Sequence, residues 1–295
     1  MPMRRSPHVV LSVLLLLLLA SCAGREVKPT PVEPPRKALK VAVVLGAGAA
    51  KGFAHVGVLK VLEANHVPVN MIVGTSVGSF VGSLYAYGYS AYDLQKIAMG
   101  IEKGEIADLT VPDNGFVKGE KLEAYVNRMV RGTTMEKLRT PLYAVATDIG
   151  SGQEMVFGKG NTGSAVRASC SIPGVFRPVR IGDRTYVDGG VVSPVAGDAA
   201  RRMGADVVIA VDISGGVSGS VPETTLDTIF QSINIMYSKI AAAQLSRADV
   251  VIQPKVGYIA SGDFTKRHEA ILEGEKAAQA ALPKIQALLG ETATK

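Results

Sequence analysis

The chain of 295 residues has no tryptophan, two cysteines, four histidines and 5% aromatic residues. Each shortage narrows what it can be. Without tryptophan, and with 32 glycines, the composition favours tight helix–sheet packing over an aromatic cleft of the carbohydrate-binding kind. With so few cysteines, one of them in the leading segment, Cys170 has no partner and no intramolecular disulfide is expected. Lysine and arginine form no block interleaved with aromatics. The net charge of +6, two units of which come from Arg4 and Arg5, therefore gives no support for a nucleic-acid partner. The apolar run from Val9 to Ala20 covers about 12 residues, well short of the ~20 needed to cross a bilayer.

That run instead reads as the core of a signal peptide, residues 1–21, with Arg4 and Arg5 as its positive flank. Leu19-Ala20-Ser21-Cys22 resembles the lipobox of bacterial lipoproteins, in which the thiol is lipidated and becomes the first residue of the mature protein. Ala23, not Asp, follows the cysteine, and by the same resemblance this implies the outer membrane, facing the periplasm. The segment 22–38 places Pro29, Pro31, Pro34 and Pro35 among charged residues and has little to bury, so it reads as an extended tether. Residues 39–290 are then expected to form one domain.

Within that domain the pattern alternates. Leu39 to Leu45 is a near-continuous apolar, β-branched run that suits a strand buried on both faces. Met71–Val73, Leu142–Thr147, Tyr186–Val187, Val207–Val211 and Val250–Ile252 are further strand candidates. Helical spacing is found over Val56–Asn65, Val77–Tyr85, Lys118–Arg131, Pro194–Met203, Leu226–Arg247 and Glu269–Leu289. Such alternation predicts a three-layer α/β/α domain with a mostly parallel central sheet. In the helix 226–247, Ile229, Ile233, Met236 and Ile240 recur at helical spacing and read as core. Tyr85, Tyr87, Tyr89 and Tyr92 read as packing before they read as an acyl groove.

Two glycine-rich turns follow consecutive strands. The first, Gly46-Ala47-Gly48-Ala49-Ala50-Lys51-Gly52, leads into a helix, and small residues there gather backbone N–H groups that bind negative charge. A dinucleotide site would use the same skeleton, but it needs a ribose-binding acidic residue at the end of the next strand, and that strand runs directly into Gly74-Thr75-Ser76. An oxyanion hole has no such requirement. A bare βα turn would explain the glycines alone. The second turn, Gly74-Thr75-Ser76-Val77-Gly78, stands between a short strand and a small-residue helix, the context that a G-x-S-x-G nucleophile elbow demands. Adjacent parallel strands would set both turns at one sheet edge, with Ser76 as nucleophile of a serine acyl-ester hydrolase.

A serine hydroxyl needs a base. His8 lies in the signal segment, His55 reads as a packed or capping residue, and His66 as a solvated turn residue. His268 completes the order of a Ser–Asp–His triad, but its charged run Lys266-Arg267-His268-Glu269 looks like the exposed start of a helix. The better base is Asp188, which a strand delivers to Gly189-Gly190, so that the chain leaves without covering the carboxylate. Asp148 and Asp212, also at strand ends, lack the glycine pair and read as loop or capping groups.

Together these motifs resemble the patatin-like phospholipase family, as do Ala146-Thr147-Asp148, Ala168-Ser169-Cys170-Ser171-Ile172-Pro173-Gly174 and Met203-Gly204-Ala205-Asp206. The resemblance covers roughly residues 40–280. It implies a Ser76–Asp188 dyad, an oxyanion hole from N–H groups around Gly48 and Ala49, Lys51 in the family's basic position, and no metal or organic cofactor. The substrate implied is a phospholipid or lysophospholipid acyl ester. The plant-type first motif carries an acidic residue and a run of glycines where Gly46 to Ala49 stand, so which N–H groups form the hole stays open. The rival expectation is a membrane-tethered scaffold that keeps the fold with little chemistry.

Overall fold

A computed structural model describes residues 39–110, 114–215 and 221–294. The expected signal peptide, Cys22 and the tether lie outside the described residues.

The first strand shows how the core is layered. In β1 (Val41–Leu45), every residue is buried, and successive side chains face opposite sides of the sheet. Val41, Val43 and Leu45 enter a core of large aliphatic residues, while Ala42 and Val44 enter one rich in alanine. The first core is covered by α1 (Phe53–Ala64), α2 (Val77–Tyr87), α3 (Ala91–Gly100) and α9 (Arg267–Thr294). The second is covered by α7 (Gly197–Arg202) and α8 (Thr225–Leu245), which Ala199, Ala200 and Ala241 allow to approach closely. The three layers expected from the alternation are present. Among the described residues no helix is long and apolar enough to cross a membrane.

The remaining elements are β2 (Met71–Thr75), α4 (Lys103–Ile106), α5 (Glu120–Met129), β3 (Leu142–Asp148), β4 (Glu154–Phe157), α6 (Thr162–Ser169), β5 (Val179–Ile181), β6 (Arg184–Asp188), β7 (Val207–Val211) and β8 (Val250–Ile252). The sheet order is β5-β6-β3-β2-β1-β7-β8, with β4 paired to β3 off this path. β3, β2, β1, β7 and β8 are parallel neighbours, whereas β4 and β6 run antiparallel to β3. The alternation gave no sign of β4, β5, α3, α4 or α6. These are short, half-buried or small-residue segments whose patterns are too brief to register.

The register along β3 positions the site. Val145 pairs with Thr75 of β2, and the next residue, Ala146, pairs with Asp188 of β6. On its other edge β3 pairs continuously with β4 from Ala144 to Thr147. β2 and β6 must therefore share one edge of β3 and meet head to head. The C-terminal ends of both strands converge on one point, and the next residue after β2 is Ser76.

Candidate active site

Ser76 stands between β2 and the first turn of α2 with φ 55° and ψ −128°, a left-handed conformation that costs a non-glycine residue about 1–3 kcal/mol. Its surroundings hold it there. The Ser76 N–H, which has lost its ladder partner at the strand end, donates to Ser169 Oγ at 2.9 Å, and that hydroxyl donates on to the Val145 carbonyl at 2.6 Å. The Ser76 carbonyl accepts from the Ser79 N–H at 2.8 Å and from Ser79 Oγ at 2.7 Å. The elbow glycines are needed for space. A Cβ on Gly78 would lie 1.9 Å from the Leu45 carbonyl oxygen, and one on Gly74 2.5 Å from the Ser79 backbone.

The loop after β1 lies against this turn. Gly46 N–H donates to the Val211 carbonyl, Ala47 N–H to Pro194, Ala50 N–H to Ser261 and Lys51 N–H to Gly48. The N–H groups of Gly48 and Ala49, and that of Val77 directly after the serine, have no acceptor among the described residues. Ala49 holds φ 49°, a second strained position beside Ser76. Gly48 is pressed against Ile213, whose Cδ1 would sit 2.7 Å from an added Cβ, and Gly52 against Val77. These are donors without partners at a helix start, next to a serine hydroxyl, the arrangement that stabilises a developing oxyanion.

Lys51 is buried, and its ammonium donates to the Ser214 carbonyl at 3.0 Å. Burial lowers its pKa, and Asp212 opposes that shift. The lysine thus ties the first glycine loop to the segment after β7, and its charge is committed there. His55 is fully buried, and its Nε2 pairs with the Gly46 carbonyl at 2.8 Å, while Nδ1 has no partner. Burial pushes its pKa down to about 4, so the ring is neutral and acts as a packed support for the loop.

Asp188 is fully buried at the end of β6. Its Oδ1 accepts from the Gly190 N–H at 2.7 Å and from the Tyr237 hydroxyl at 3.0 Å, and its Oδ2 has no hydrogen-bond partner. Burial pushes the carboxyl up to about 6. The Ser76 hydroxyl is the strongest of the groups that oppose this rise, ahead of the Gly190 N–H and Tyr237. No full hydrogen bond joins Ser76 to Oδ2, yet the hydroxyl lies near enough to act on the carboxyl's charge. The glycine pair serves close approach: a Cβ on Gly189 would meet the Val145 carbonyl at 2.2 Å, and one on Gly190 the Tyr237 ring at 2.3 Å.

A cavity of about 500 Å³ opens from Ser76. Its wall is apolar, built from residues such as Phe53, Phe80, Leu84, Ile97, Val175 and Phe230, with Lys103 as its one charged side chain among the described residues. The volume lies within the ~300–1,000 Å³ of ordinary ligand pockets. Cys170 shares the wall, and burial raises its thiol pKa, so it stays protonated. None of the four tyrosines from Tyr85 to Tyr92 lines the cavity. Leu226 and Phe230 of α8 do, while Met236, expected in the core, is exposed.

The other candidates lie elsewhere. His268 is exposed on the first turn of α9, and His66 is exposed in a turn. Asp148 caps a turn through the Gly150 N–H, and Asp212 accepts from the Ser214 N–H and from Gln253. Sequence reasoning gave no role to Ser169, although it stands in a quoted motif, and missed Tyr237 altogether. A tyrosine inside an apolar helix carries no signal that its hydroxyl meets a carboxylate from a distant strand.

Comparison with known proteins identifies the family and the fold. A family model described as patatin-like phospholipase matches residues 43–201, more than half of the chain. The mouse patatin-like phospholipase domain-containing protein 6 is 36% identical over 202 residues, 66% of this chain and 14% of that protein. An uncharacterized NTE family protein of Mycobacterium bovis is 31% identical over 69% of this chain and 57% of its own length. Lysophospholipase nte1 of Aspergillus fumigatus is 30% identical over 78% of this chain and 16% of its own. The chain thus spans only a part of each of these relatives. VipD from Legionella pneumophila shares the fold, with TM-score 0.59 and 14% identity over 84% of this chain and 67% of that one. With the glycine loop, the serine elbow and most of the sheet inside the matched residues, the chain belongs to the patatin-like phospholipase family, whose members are carboxylic ester hydrolases.

Proposed function

We propose that the domain is a serine acyl-ester hydrolase that uses a Ser76–Asp188 dyad on phospholipid or lysophospholipid acyl esters. The observation that carries this reading is the meeting of the β2 and β6 ends, with Ser76 on the wall of one apolar cavity. Asp188 Oδ2 takes the Ser76 proton as Oγ bonds to the ester carbonyl carbon. The carbonyl oxygen becomes an oxyanion, held by the N–H groups of Gly48 and Ala49 with that of Val77 beside them. Collapse breaks the ester C–O bond, and the proton on Asp188 passes to the leaving alkoxide. Water then attacks the acyl-enzyme and gives a proton to Asp188. Collapse breaks the Ser76 Oγ–acyl bond and releases the fatty acid, and Asp188 returns the proton to Oγ to restore free Ser76. The acyl chain occupies the apolar cavity throughout. In this reading Gly46, Ala47, Lys51 and Gly52 shape the donor loop, and Gly74, Gly78, Gly189 and Gly190 give the two turns room to close.

The same proposal places the domain at a bacterial membrane, tethered through lipidated Cys22 to the outer membrane and facing the periplasm. The lipobox-like sequence supports this, and loss of labelled-lipid incorporation in Cys22→Ser checks it. The substrate test is lipidomic. The domain incubated with mixed bacterial lipids is expected to release fatty acid with its lysolipid or glycerophosphodiester partner, and Ser76→Ala is expected to abolish the release. Release that persists at the wild-type rate in Ser76→Ala would overturn the mechanism.

A further inference from the structure

The base of the dyad is contacted from outside the family-matched residues. Tyr237 sits in the middle of α8, 4% exposed, in a small apolar cluster with Ala47, Ile172, Val175 and Ile233. A buried phenol needs a partner for its hydroxyl, and its partner is Asp188 Oδ1 at 3.0 Å. The same oxygen takes the Gly190 N–H at 2.7 Å. Two donors therefore occupy one carboxylate oxygen, while Oδ2 is buried without any. The close approach requires a residue without a side chain at 190, since a Cβ there would lie 2.3 Å from the Tyr237 ring.

We propose that Tyr237 is a positioning residue for the reaction at Ser76: its hydroxyl fixes one oxygen of Asp188 and leaves the other as the proton acceptor. This rests on the reading of Asp188 as the base. A carboxylate in a fully buried site turns about its Cβ–Cγ bond unless its oxygens are distinguished, and the two donors distinguish them. The hydroxyl also stabilises the ionised form, since a hydrogen bond to a charged acceptor is stronger than one to a neutral group. Among the described residues, the other titratable side chain coupled to Asp188 is Cys170, directly after α6. Burial keeps both the thiol and the phenol protonated, so neither changes charge while Asp188 titrates. Tyr237 does not line the acyl cavity, so its contribution falls on turnover and not on substrate capture.

The test uses the full chain and Tyr237→Phe, which keeps the ring and its packing and removes only the hydroxyl. The expected result is a kcat about tenfold lower with KM unchanged, and an acid limb of the pH–rate profile moved up by about one pH unit. The upward direction follows from the loss of a donor that stabilises the carboxylate. An unmoved acid limb, whatever the loss of activity or thermal stability, would make Tyr237 a packing residue and overturn the proposal. A second measurement does not depend on turnover: the carboxyl-carbon NMR titration of Asp188. Its midpoint is expected to rise in Tyr237→Phe, and an unchanged midpoint would overturn the assignment even if the chain hydrolysed no lipid. Absence of acyl release by the wild-type chain would instead sink the dyad reading.

Discussion

β1 and β2 run parallel and end in tight turns where the N–H groups of Gly48, Ala49 and Val77 have no acceptors among the described residues, while β6 runs antiparallel to β3 and ends in a buried carboxylate. In the proposed mechanism the parallel side of the sheet supplies the nucleophile and the donors for negative charge, and the antiparallel side supplies the group that must take a proton. Parallel strands bring their C-terminal ends to one edge, where helix N-termini favour anions. A base placed there on another parallel strand would lie beside Ser76, separated by the strand spacing. Sending β6 in from the opposite direction on the same edge of β3 sets Asp188 one register step beyond Thr75, in line with the serine. The site is a junction between two strand directions.

Substitutions can break the two sides separately. Ser76→Ala removes the nucleophile and is expected to lower ester turnover by about 10⁴-fold or more, with the fold intact by circular dichroism. Asp188→Asn removes the base from the antiparallel side and is expected to cost about 10³-fold in kcat. It should also raise thermal stability. The folded-state carboxyl pKa of about 6 lies above the ordinary 3.8, so the folded chain binds the proton more tightly than the unfolded one. Stability then falls as pH rises from about 4 to 6, and at pH 7 the buried charge costs about 3 kcal/mol. Thermal melts should show the asparagine variant ahead of wild type at pH 7, with the gap closing below about pH 4. The same titration gives wild-type kcat/KM an acid limb near pH 6, because only the carboxylate accepts the serine proton.

Smaller effects sharpen the contrast. Gly78→Ala, on the parallel side, sets a Cβ 1.9 Å from a backbone oxygen of β1, so strand and helix must separate, and a loss of about 3 kcal/mol in denaturant unfolding is expected. Gly190→Ala, on the antiparallel side, meets the Tyr237 ring, which gives by moving off Asp188. Activity is expected to fall about tenfold with stability reduced by about 1–2 kcal/mol. His268→Ala, at an exposed position that makes no hydrogen bond to Ser76 or Asp188, is expected to change kcat/KM by less than about twofold.

The same division explains what could be read from the sequence. β1, β2 and β7 are buried on both faces, so their apolar runs stand out, and the turn after β2 carries glycines at fixed offsets from a serine. β6 was visible only as Tyr186–Val187 because Arg184 is exposed and Thr185 half-buried and polar, and its direction has no sequence signature. Asp188 was legible through the two glycines that follow it, not through its strand. Ser169 and Tyr237 were not legible, because Ser169 acts by linking Ser76 to Val145 and Tyr237 by one bond to Asp188, contacts between residues far apart in the chain. Met236 was read as core from its spacing with Ile229 and Ile233. α8 packs only one narrow stripe, and Met236 falls outside it.

The most direct measurement of the dyad is the pH dependence of fluorophosphonate labelling, with the modified residue located by mass spectrometry, in wild type, Asp188→Asn and His268→Ala. The expected result is modification at Ser76 that rises through about pH 6, is lost in Asp188→Asn and is unchanged in His268→Ala. Labelling of Ser76 that survives Asp188→Asn and disappears in His268→Ala would contradict the account.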